Sequence, residues 1–189
     1  MNQLAVLVSG RGSNFEAIAR NIREGRLEAE IAAVVVNNPE SPALQTATAL
    51  GLRAVSLPSK GVDTGIYARM VVEILAPLEI DLVILAGFMR RVGQPLLDAY
   101  PGRILNIHPS LLPAFPGLHV QKQALDYGVQ FSGCTVHFVD AGLDTGPIIK
   151  QAVVPVLAGD TVETLAARIL VEEHKIYTAA IALVLSDKL

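Results

Sequence analysis

The sequence predicts an α/β protein with a doubly wound, mostly parallel, Rossmann-like sheet, a β-rich C-terminal half and a long final helix. In the N-terminal half, short apolar runs of strand length alternate with amphipathic stretches, which is the pattern of parallel strands joined by helices. A glycine-containing turn leads directly from the first apolar run into a helical pattern. After a proline-rich loop, two strand patterns and one long helical pattern follow.

Five apolar runs predict the strands of the N-terminal half. They lie at 4–8, 31–36, 54–57, 81–85 and 104–108. The stretches between them carry helical periodicity and predict helices at 13–24, 41–50, 65–75 and 94–98. Ser41 followed by Pro42 predicts a helix that begins with a serine N-cap and a proline in the first helical position.

The C-terminal half begins with a helix predicted at 119–127, which Gly128 ends. Strands are predicted at 131–139 and 147–156, with the turn GLDTG between them. Thr161 then opens a long amphipathic helix that continues to about residue 185, with Glu163 or Thr164 in its first turn. Because no repeat and no linker interrupts this order, the sequence predicts a single domain over residues 1–189.

The composition excludes several classes of protein. Hydrophobic residues make up 51% of the 189 residues and charged residues 17%, which argues against disorder, and the apolar runs are too short to span a bilayer. The net charge of −3 offers no basic surface for nucleic acid. The single Cys134 allows no internal disulfide, and a strand-like run from residue 4 leaves no room for a signal peptide. We therefore expect a cytoplasmic protein without nucleic-acid or membrane partners.

The turn SGRGSN at 9–14 is a candidate phosphate site. Its glycines let the backbone approach a ligand, and the first N–H groups of the following helix, with the helix dipole, favour an anion. A tight turn capped by Ser13 or Asn14 explains the same residues without a ligand. Phe15 stands where a dinucleotide fingerprint needs its third glycine, and Asn37 where it needs an acid. With no P-loop lysine either, a ribonucleotide fits better than NAD or a nucleoside triphosphate.

Asn106 and His108 form a polar pair at the end of the fifth predicted strand. Residues two apart on a strand face the same way, so both project where open α/β sheets bind ligands. The Asn106 amide can donate to an oxyanion, and histidine carries a proton in either direction near neutrality. If Asp144, in the turn at 141–146, folds beside His108, its charge favours the imidazolium form. These groups suit acyl transfer without a side-chain nucleophile.

The same residues also admit structural explanations. A histidine at a strand end often only hydrogen-bonds a backbone carbonyl, and an aspartate in a glycine-rich turn is an ordinary turn former. Ser110 lacks the G-x-S-x-G setting of a serine hydrolase. The four histidines stand far apart and without a metal-binding motif, so no metal site is expected.

Four segments together resemble the phosphoribosylglycinamide formyltransferase (glycinamide ribonucleotide transformylase) family. They are SGRGSN at 9–14, AGFMRRV at 86–92, NIHPSLLPAFPGLH at 106–119 and HFVDAGLDTGPII at 137–149. The likeness covers nearly the whole chain. NIHPSLLP and LDTGP are shared across the formyltetrahydrofolate-dependent formyltransferase superfamily, whereas SGRGSN, PGLH and EEHKIY are typical of the glycinamide ribonucleotide members.

The resemblance implies formyl transfer from 10-formyltetrahydrofolate, a co-substrate, to the amine of glycinamide ribonucleotide, without metal or NAD. The ribonucleotide-binding residues would be Arg11, Gly12, Ser13, Asn14 and Glu173. Among them, Asn14 would cap the helix and Glu173 would meet the ribose or amine end. The folate-binding residues would be Met89, Arg90, Arg91, Val92, Asn106, Asp140, Ala141, Gly142 and Leu143, largely through backbone groups. The catalytic residues would be Asn106 for the oxyanion, His108 as proton donor and shuttle, and Asp144 to favour its protonated form.

By the same resemblance, residues 1–100 would bind the ribonucleotide phosphate, and residues 101–189 would carry catalysis and folate binding. Thr135 and His137 share a face of their strand and would support Asp144 or a bound water. The family usually has an arginine near the folate tail before the third helix, and here only Lys60 or Arg69 could replace it. Assembly as a monomer or a homodimer stays open.

Two other functions remain open at this point. Formyltetrahydrofolate hydrolases resemble this core but usually have a preceding regulatory domain and two successive histidines where this chain has His108-Pro109. A non-catalytic ribonucleotide-binding module would bind a phosphate ligand without turnover. Formylation of methionyl-tRNA would need a further RNA-binding domain and a basic face, which the sequence does not show.

Overall fold

The computed structural model describes residues 1–187 and divides the chain into two compact units. The first unit is Met1–Asn106 and the second is Ile107–Leu189. Strand β5 (Ile104–His108) crosses this boundary, so Asn106 closes the first unit and His108 belongs to the second.

The first unit alternates strands and helices along the chain. Its elements are β1 (Asn2–Val8), α1 (Ser13–Arg23), β2 (Ala29–Val36), α2 (Pro42–Ala49), β3 (Ala54–Ser56), α3 (Thr64–Leu75), a 3₁₀ turn (Ala76–Leu78), β4 (Leu82–Leu85), α4 (Gln94–Ala99) and the start of β5. The strands run parallel in the order β3-β2-β1-β4-β5. The order reverses direction at β1, and right-handed crossovers then place α1 and α2 on one face and α3 and α4 on the other. This is the doubly wound arrangement that the sequence predicted.

The interior strands of the first unit are buried on both faces. Residues 4–8 of β1 and 33–36 of β2 are fully inaccessible, and Phe15 and Ile18 of α1 are as well. Helices on both faces of a parallel sheet remove the need for polar positions in the strand, so the runs are continuously apolar. Burying each large apolar side chain stabilises the fold by roughly 1.5–3 kcal/mol before entropy is counted.

The starts of α2 and α3 follow from their capping residues. Ser41 Oγ accepts a hydrogen bond from Ala43 N at 3.2 Å, and Pro42 takes the first helical position, which confirms that prediction. Asp63 caps α3 by accepting from the N–H groups of Ile66 and Gly65, at 3.1 and 2.8 Å. These hydrogen bonds hold the pKa of Asp63 below its usual value.

The second unit is built on an antiparallel strand pair and a long helix. Its elements after β5 are α5 (Val120–Tyr127), β6 (Phe131–Phe138), β7 (Ile148–Pro155) and α6 (Val162–Leu185). Strands β6 and β7 pair antiparallel, and α6 packs against both. Gly128 ends α5 with φ 80°, and Thr161 and Thr164 cap α6 reciprocally, so both predicted boundaries are confirmed.

Helix α6 contacts its strands through one apolar face. Leu165, Ile169, Ile176 and Ile181 are all buried at helical spacing along it. Within residues 1–187, no helix has both the length and the apolar character needed to cross a membrane. The mostly parallel α/β class with a β-rich second half and a long final helix is therefore confirmed.

A bidentate ion pair between Asp160 and Arg168 connects the start of α6 with the end of β7. Asp160 Oδ1 and Oδ2 accept from the two terminal nitrogens of Arg168 at 2.8 and 2.7 Å, and Oδ2 also accepts from Leu157 N at 2.7 Å. Arg168 in turn donates to Pro155 O at 2.8 Å. The hydrogen bonds from Arg168, and next from Leu157 N, hold the pKa of Asp160 well below its usual value.

Replacing Asp160 by asparagine is expected to lower the Tm at neutral pH. A carboxylate with a depressed folded-state pKa contributes stability above its ordinary pKa of 3.8 and loses that contribution as the pH falls through the folded-state value. The difference between wild type and variant should therefore shrink below that ordinary value in thermal melts followed by circular dichroism. Asp126→Asn removes an exposed partner of Lys122 and should change the Tm little at any pH. A difference for Asp160→Asn that stays constant into acid would contradict the linkage.

Candidate active site

The turn between β1 and α1 needs glycine at position 12. Gly12 is the N-cap of α1 with φ 79°, and a Cβ there would lie 2.8 Å from the Cβ of Ala43. No side chain caps the helix, so the prediction that Asn14 caps it is wrong. The left-handed N-cap conformation favours glycine, and the helix then begins at Ser13, which places Asn14, buried, inside the first turn. Arg11 lies exposed at the tip of the turn.

This turn is bonded to the segment that follows β4. Ser9 N donates to Gly87 O at 3.2 Å, and Ser9 Oγ accepts from Met89 N at 2.7 Å. On the other side, Ser41 Oγ donates to Gly10 O. The turn therefore lies at the carboxyl ends of β1 and β4, where the strand order reverses and open sheets bind ligands. The structure thus brings the predicted phosphate turn and the start of the predicted folate segment together.

The side chain of Arg90 is engaged within the protein. Its terminal nitrogens donate to Ser59 O at 2.6 Å and Val62 O at 2.9 Å, and its guanidinium lies 4.8 Å from the centre of the Tyr67 ring. Met89 is 71% exposed, Arg91 is exposed and Val92 is half-buried. Arg90 therefore fixes the loop at 59–62, and its side chain is engaged within the first unit.

His108 and Asp144 lie side by side in the second unit. His108 Nδ1 is 3.4 Å from Asp144 Oδ2, and the two side chains are 6% and 11% exposed. The other ring nitrogen, Nε2, lies 2.9 Å from Phe115 O. Asn106 precedes His108 by two residues on β5 and is half-buried. The structure therefore places the carboxylate and the imidazole within ion-pair distance of each other, as expected from the sequence.

The turn at 140–146 presents Asp144 through its own hydrogen bonds. Asp140 Oδ1 accepts from Thr145 Oγ1 at 2.7 Å and from Gly142 N at 3.0 Å, which closes the turn. Asp144 has φ 55°, in the left-handed region that aspartate tolerates better than most residues. Its Oδ2 also accepts from Gly117 N at 2.9 Å. The predicted folate residues Ala141, Gly142 and Leu143 are exposed on this turn.

His137 lies on the other oxygen of the same carboxylate. Its Nε2 is 3.9 Å from Asp144 Oδ1, and its Nδ1 is 2.8 Å from Phe138 O. Burial lowers the pKa of His137 below its usual value, and the Phe138 carbonyl and the charge of Asp144 oppose this shift only in part. Burial therefore favours the neutral form of the His137 ring beside Asp144.

Of the two roles predicted for Thr135, support of Asp144 or of a bound water, the first is wrong. Its hydroxyl, fully buried, donates to Ser110 O at 2.7 Å and accepts from Leu112 N at 3.0 Å and Gln151 Nε2 at 2.9 Å. Gln151 also donates to Leu112 O at 2.9 Å, and the Leu112-Pro113 bond is cis. Thr135 therefore fixes the loop that follows β5, because the loop backbone occupies the hydrogen-bonding positions around its hydroxyl.

Glu173 lies on α6 and is 7% exposed. Burial, followed by the charges of Glu173 and Glu172, raises the pKa of the Cys134 thiol to about 12. The only cysteine is therefore held as a thiol and is not a candidate nucleophile. In residues 1–187, no group of three or more histidine, cysteine or carboxylate side chains is placed to hold a metal.

Two backbone groups of the site were missed by sequence reasoning. Phe115 O contacts His108, and Gly117 N donates to Asp144, so one short loop touches both members of the pair. Phe115 has φ 52°, a conformation that an aromatic residue rarely adopts. The prolines at 113 and 116 indicated a stiff loop, but no residue type marks which carbonyl or N–H turns inward.

The chain matches the family model described as formyl transferase over residues 2–181. Phosphoribosylglycinamide formyltransferase of Bacillus subtilis is 42% identical over 182 residues, covering 96% of this chain and 93% of the relative. The crystal structure of glycinamide ribonucleotide transformylase 1 from Symbiobacterium toebii has a TM-score of 0.93 and 51% identity, with 97% of this chain and 87% of that chain covered.

Two further relatives are larger proteins. The trifunctional purine biosynthetic protein adenosine-3 of Drosophila melanogaster is 43% identical over 187 residues, and the chain spans only 14% of its length. A formyltetrahydrofolate deformylase from Pseudomonas syringae has a TM-score of 0.92 but 25% identity, and 62% of that chain is covered. The identity is thus much higher to the phosphoribosylglycinamide formyltransferases than to this deformylase. The chain belongs to the formyl transferase family and, within it, to the phosphoribosylglycinamide formyltransferases.

Proposed function

We propose that the protein transfers the formyl group of 10-formyltetrahydrofolate to the amine of glycinamide ribonucleotide, giving formylglycinamide ribonucleotide and tetrahydrofolate in de novo purine biosynthesis. The observation that carries this proposal is the buried pair of His108 and Asp144, 3.4 Å apart at the end of β5. The family membership supports the same reaction, because relatives that match nearly the whole chain are named for it. The enzyme is then a one-carbon formyl transferase.

The reaction needs an oxyanion donor and a proton carrier, and the end of β5 supplies both. As the amine nitrogen bonds to the formyl carbon, the carbonyl electrons move to oxygen, and the Asn106 amide donates a hydrogen bond to that oxygen. The bond between the formyl carbon and the folate nitrogen then breaks. His108 gives a proton to the departing nitrogen and takes the proton that the attacking amine loses. Asp144 stabilises the imidazolium that is present before the first of these transfers and regenerated by the second.

Binding of the two substrates is assigned to separate segments. In this proposal the backbone of the turn at Gly12 and Ser13, with Arg11 and Asn14, holds the ribonucleotide phosphate, and the uncapped start of α1 favours its negative charge. Glu173 contacts the ribose or amine end. The folate pterin is held through the backbone of residues 89–92 and of the turn at 140–144.

The proposal includes no metal and no NAD, since proton transfer and hydrogen bonding are sufficient for acyl transfer to an amine. The partners are small molecules, with no nucleic acid or membrane. A cytoplasmic location and a single domain, divided near residue 100 into a ribonucleotide half and a catalytic half, stay predictions. The single cysteine, present as a free thiol, is compatible with a reducing compartment.

The test is an absorbance assay for the folate product with purified protein and 10-formyltetrahydrofolate, with and without glycinamide ribonucleotide. Product that forms only when the amine is present supports transfer. Equal release without the amine would mean hydrolysis, and the function would then be that of the deformylases. Binding of glycinamide ribonucleotide without product, measured by calorimetry, would instead indicate a non-catalytic ribonucleotide-binding module.

A further inference from the structure

The Phe115 carbonyl oxygen fixes the hydrogen position on the His108 ring. This oxygen accepts from His108 Nε2 at 2.9 Å and from Ser110 Oγ at 3.1 Å. Because a carbonyl oxygen only accepts, the hydrogen in the contact with the ring must be carried by Nε2. The single hydrogen of the Ser110 hydroxyl is shared between this oxygen and Ala114 O, so His108 Nε2 is the donor that Phe115 O does not share.

The opposite ring nitrogen faces a different kind of group. His108 Nδ1 lies 3.4 Å from Asp144 Oδ2, which already accepts from Gly117 N at 2.9 Å. In the neutral ring, Nε2 holds the only hydrogen and Nδ1 holds the lone pair. In the protonated ring, Nδ1 gains a hydrogen and faces the carboxylate. The proton that is gained and lost therefore belongs to Nδ1.

Ser110 holds the carbonyl in this position. Its side chain is 1% exposed, and its Oγ lies 2.6 Å from Ala114 O and 3.1 Å from Phe115 O. One hydroxyl hydrogen is thus shared between two successive carbonyls, which belong to the two peptide planes on either side of the Phe115 Cα. Phe115 sits at φ 52°, a conformation that persists only where surrounding contacts impose it. The Phe115 ring, packed edge-on against Tyr127, supplies one such contact and Ser110 supplies another.

We infer that His108 exchanges its proton through Nδ1, and that Ser110 is a positioning residue that keeps Nε2 bonded to the Phe115 carbonyl. The inference rests on the proposed function, in which His108 is the proton carrier. In one turnover the imidazolium gives its Nδ1 proton to the departing folate nitrogen, and the neutral ring takes the proton of the attacking amine at the same atom. Nε2 keeps its hydrogen throughout, so the ring ends the cycle in its starting state.

Nitrogen NMR of the full-length protein with labelled histidine tests the ring assignment. The His108 signals are identified by their loss in His108→Asn. At a pH where the ring is neutral, we expect Nε2 to be the protonated nitrogen and Nδ1 the unprotonated one. A neutral wild-type ring that carries its hydrogen on Nδ1 would overturn the inference, and this measurement needs no Ser110 variant.

Ser110→Ala tests the positioning role. We expect the His108 signals to shift toward a mixture of the two tautomers, because the carbonyl is no longer fixed. The kcat for transfer should fall about 10-fold, and KM for both substrates should change by less than about twofold. The reason is that a His108 ring in a less well-defined position loses part of the ~10²–10⁴-fold rate enhancement that proton transfer contributes. Unchanged tautomer and unchanged kcat would both count against the role.

Ser132→Ala is the matched control, because Ser132 is another buried serine of the second unit, 3% exposed on β6, and has no assigned role in the site. It should leave the His108 signals and kcat as in the wild type. Circular dichroism melts of both variants report whether each is folded. If Ser110→Ala does not fold, Ser110→Thr takes its place, because threonine keeps the hydroxyl. A folded Ser110→Thr protein with the wild-type tautomer of His108 supports the positioning role. A mixture of tautomers in that variant opposes it. If the wild type shows no transfer at all, the proposed function fails, while the wild-type spectrum still decides the ring assignment.

Discussion

Replacing His108 by asparagine is expected to lower kcat for formyl transfer by about 10²–10⁴-fold, the range that a positioned proton carrier typically contributes. Asparagine keeps a polar planar side chain of similar reach but cannot gain and lose a proton near neutrality. KM for the two substrates should change much less, because His108 is assigned to the reacting atoms and not to uniform binding. Steady-state kinetics by folate-product absorbance measures both quantities.

His119→Asn is the matched control for this variant. His119 is exposed and precedes α5 with φ 56°, a left-handed conformation that asparagine also tolerates. It should keep the activity and the melting temperature of the wild type. A folded His108→Asn enzyme that turned over like the wild type would remove His108 from the mechanism.

Replacing Asp144 by asparagine is expected to lower kcat by about 10- to 10²-fold, the effect of removing one opposite charge beside an ionisable group. The substitution preserves shape, since the amide oxygen can still accept from Gly117 N and asparagine tolerates the φ of 55°. What is lost is the negative charge 3.4 Å from His108 Nδ1. The loss should therefore be smaller than for His108→Asn, because the imidazole itself remains.

The control for Asp144→Asn is Asp98→Asn, which changes an exposed carboxylate on α4 that accepts a local hydrogen bond from Gln94. Asp98→Asn should leave kcat unaltered. The double variant His108→Asn with Asp144→Asn should be little worse than His108→Asn alone, because the two residues act as one unit. If the losses in kcat of the two single variants instead added up in the double variant, Asp144 would act independently of His108.

The elements of the fold were largely readable from local sequence. The five predicted strands of the first half, including 104–108, correspond to observed strands, and the caps at Ser41 and Thr161 lie where the sequence placed them. Each of these features depends on hydrophobic periodicity or on residues a few positions apart. The contacts that determine a strand or a helix cap are therefore between near neighbours in the sequence. The start of α1 at Ser13 was also predicted correctly, but its cap was not, because a glycine in a left-handed conformation takes the N-cap position in place of the expected side-chain cap.

The chemical types at the site were also determined by the sequence. Asn106 and His108 had to share a face because they are two apart on a strand, and Asp144 had to lie in a turn because glycines surround it. What the sequence alone left open was whether that turn meets the histidine. Only tertiary structure brings these side chains to 3.4 Å, since contacts between distant positions depend on packing and not on periodicity.

The backbone contacts of the loop after β5 were beyond sequence reasoning for a different reason. The Phe115 carbonyl and the Gly117 N–H belong to groups that every non-proline residue possesses, so their direction is set by φ and ψ and leaves no mark in residue type. From the sequence, Ser110 was considered and set aside as a nucleophile, and Thr135 was considered as a support for Asp144. In the structure, both hydroxyls donate to backbone carbonyls of the loop after β5. The sequence by itself determined which elements form and which chemistry they carry, because those depend on neighbours along the chain. The tertiary structure decided which nitrogen of His108 faces a carbonyl and which faces a carboxylate, because those two groups are brought together only by folding.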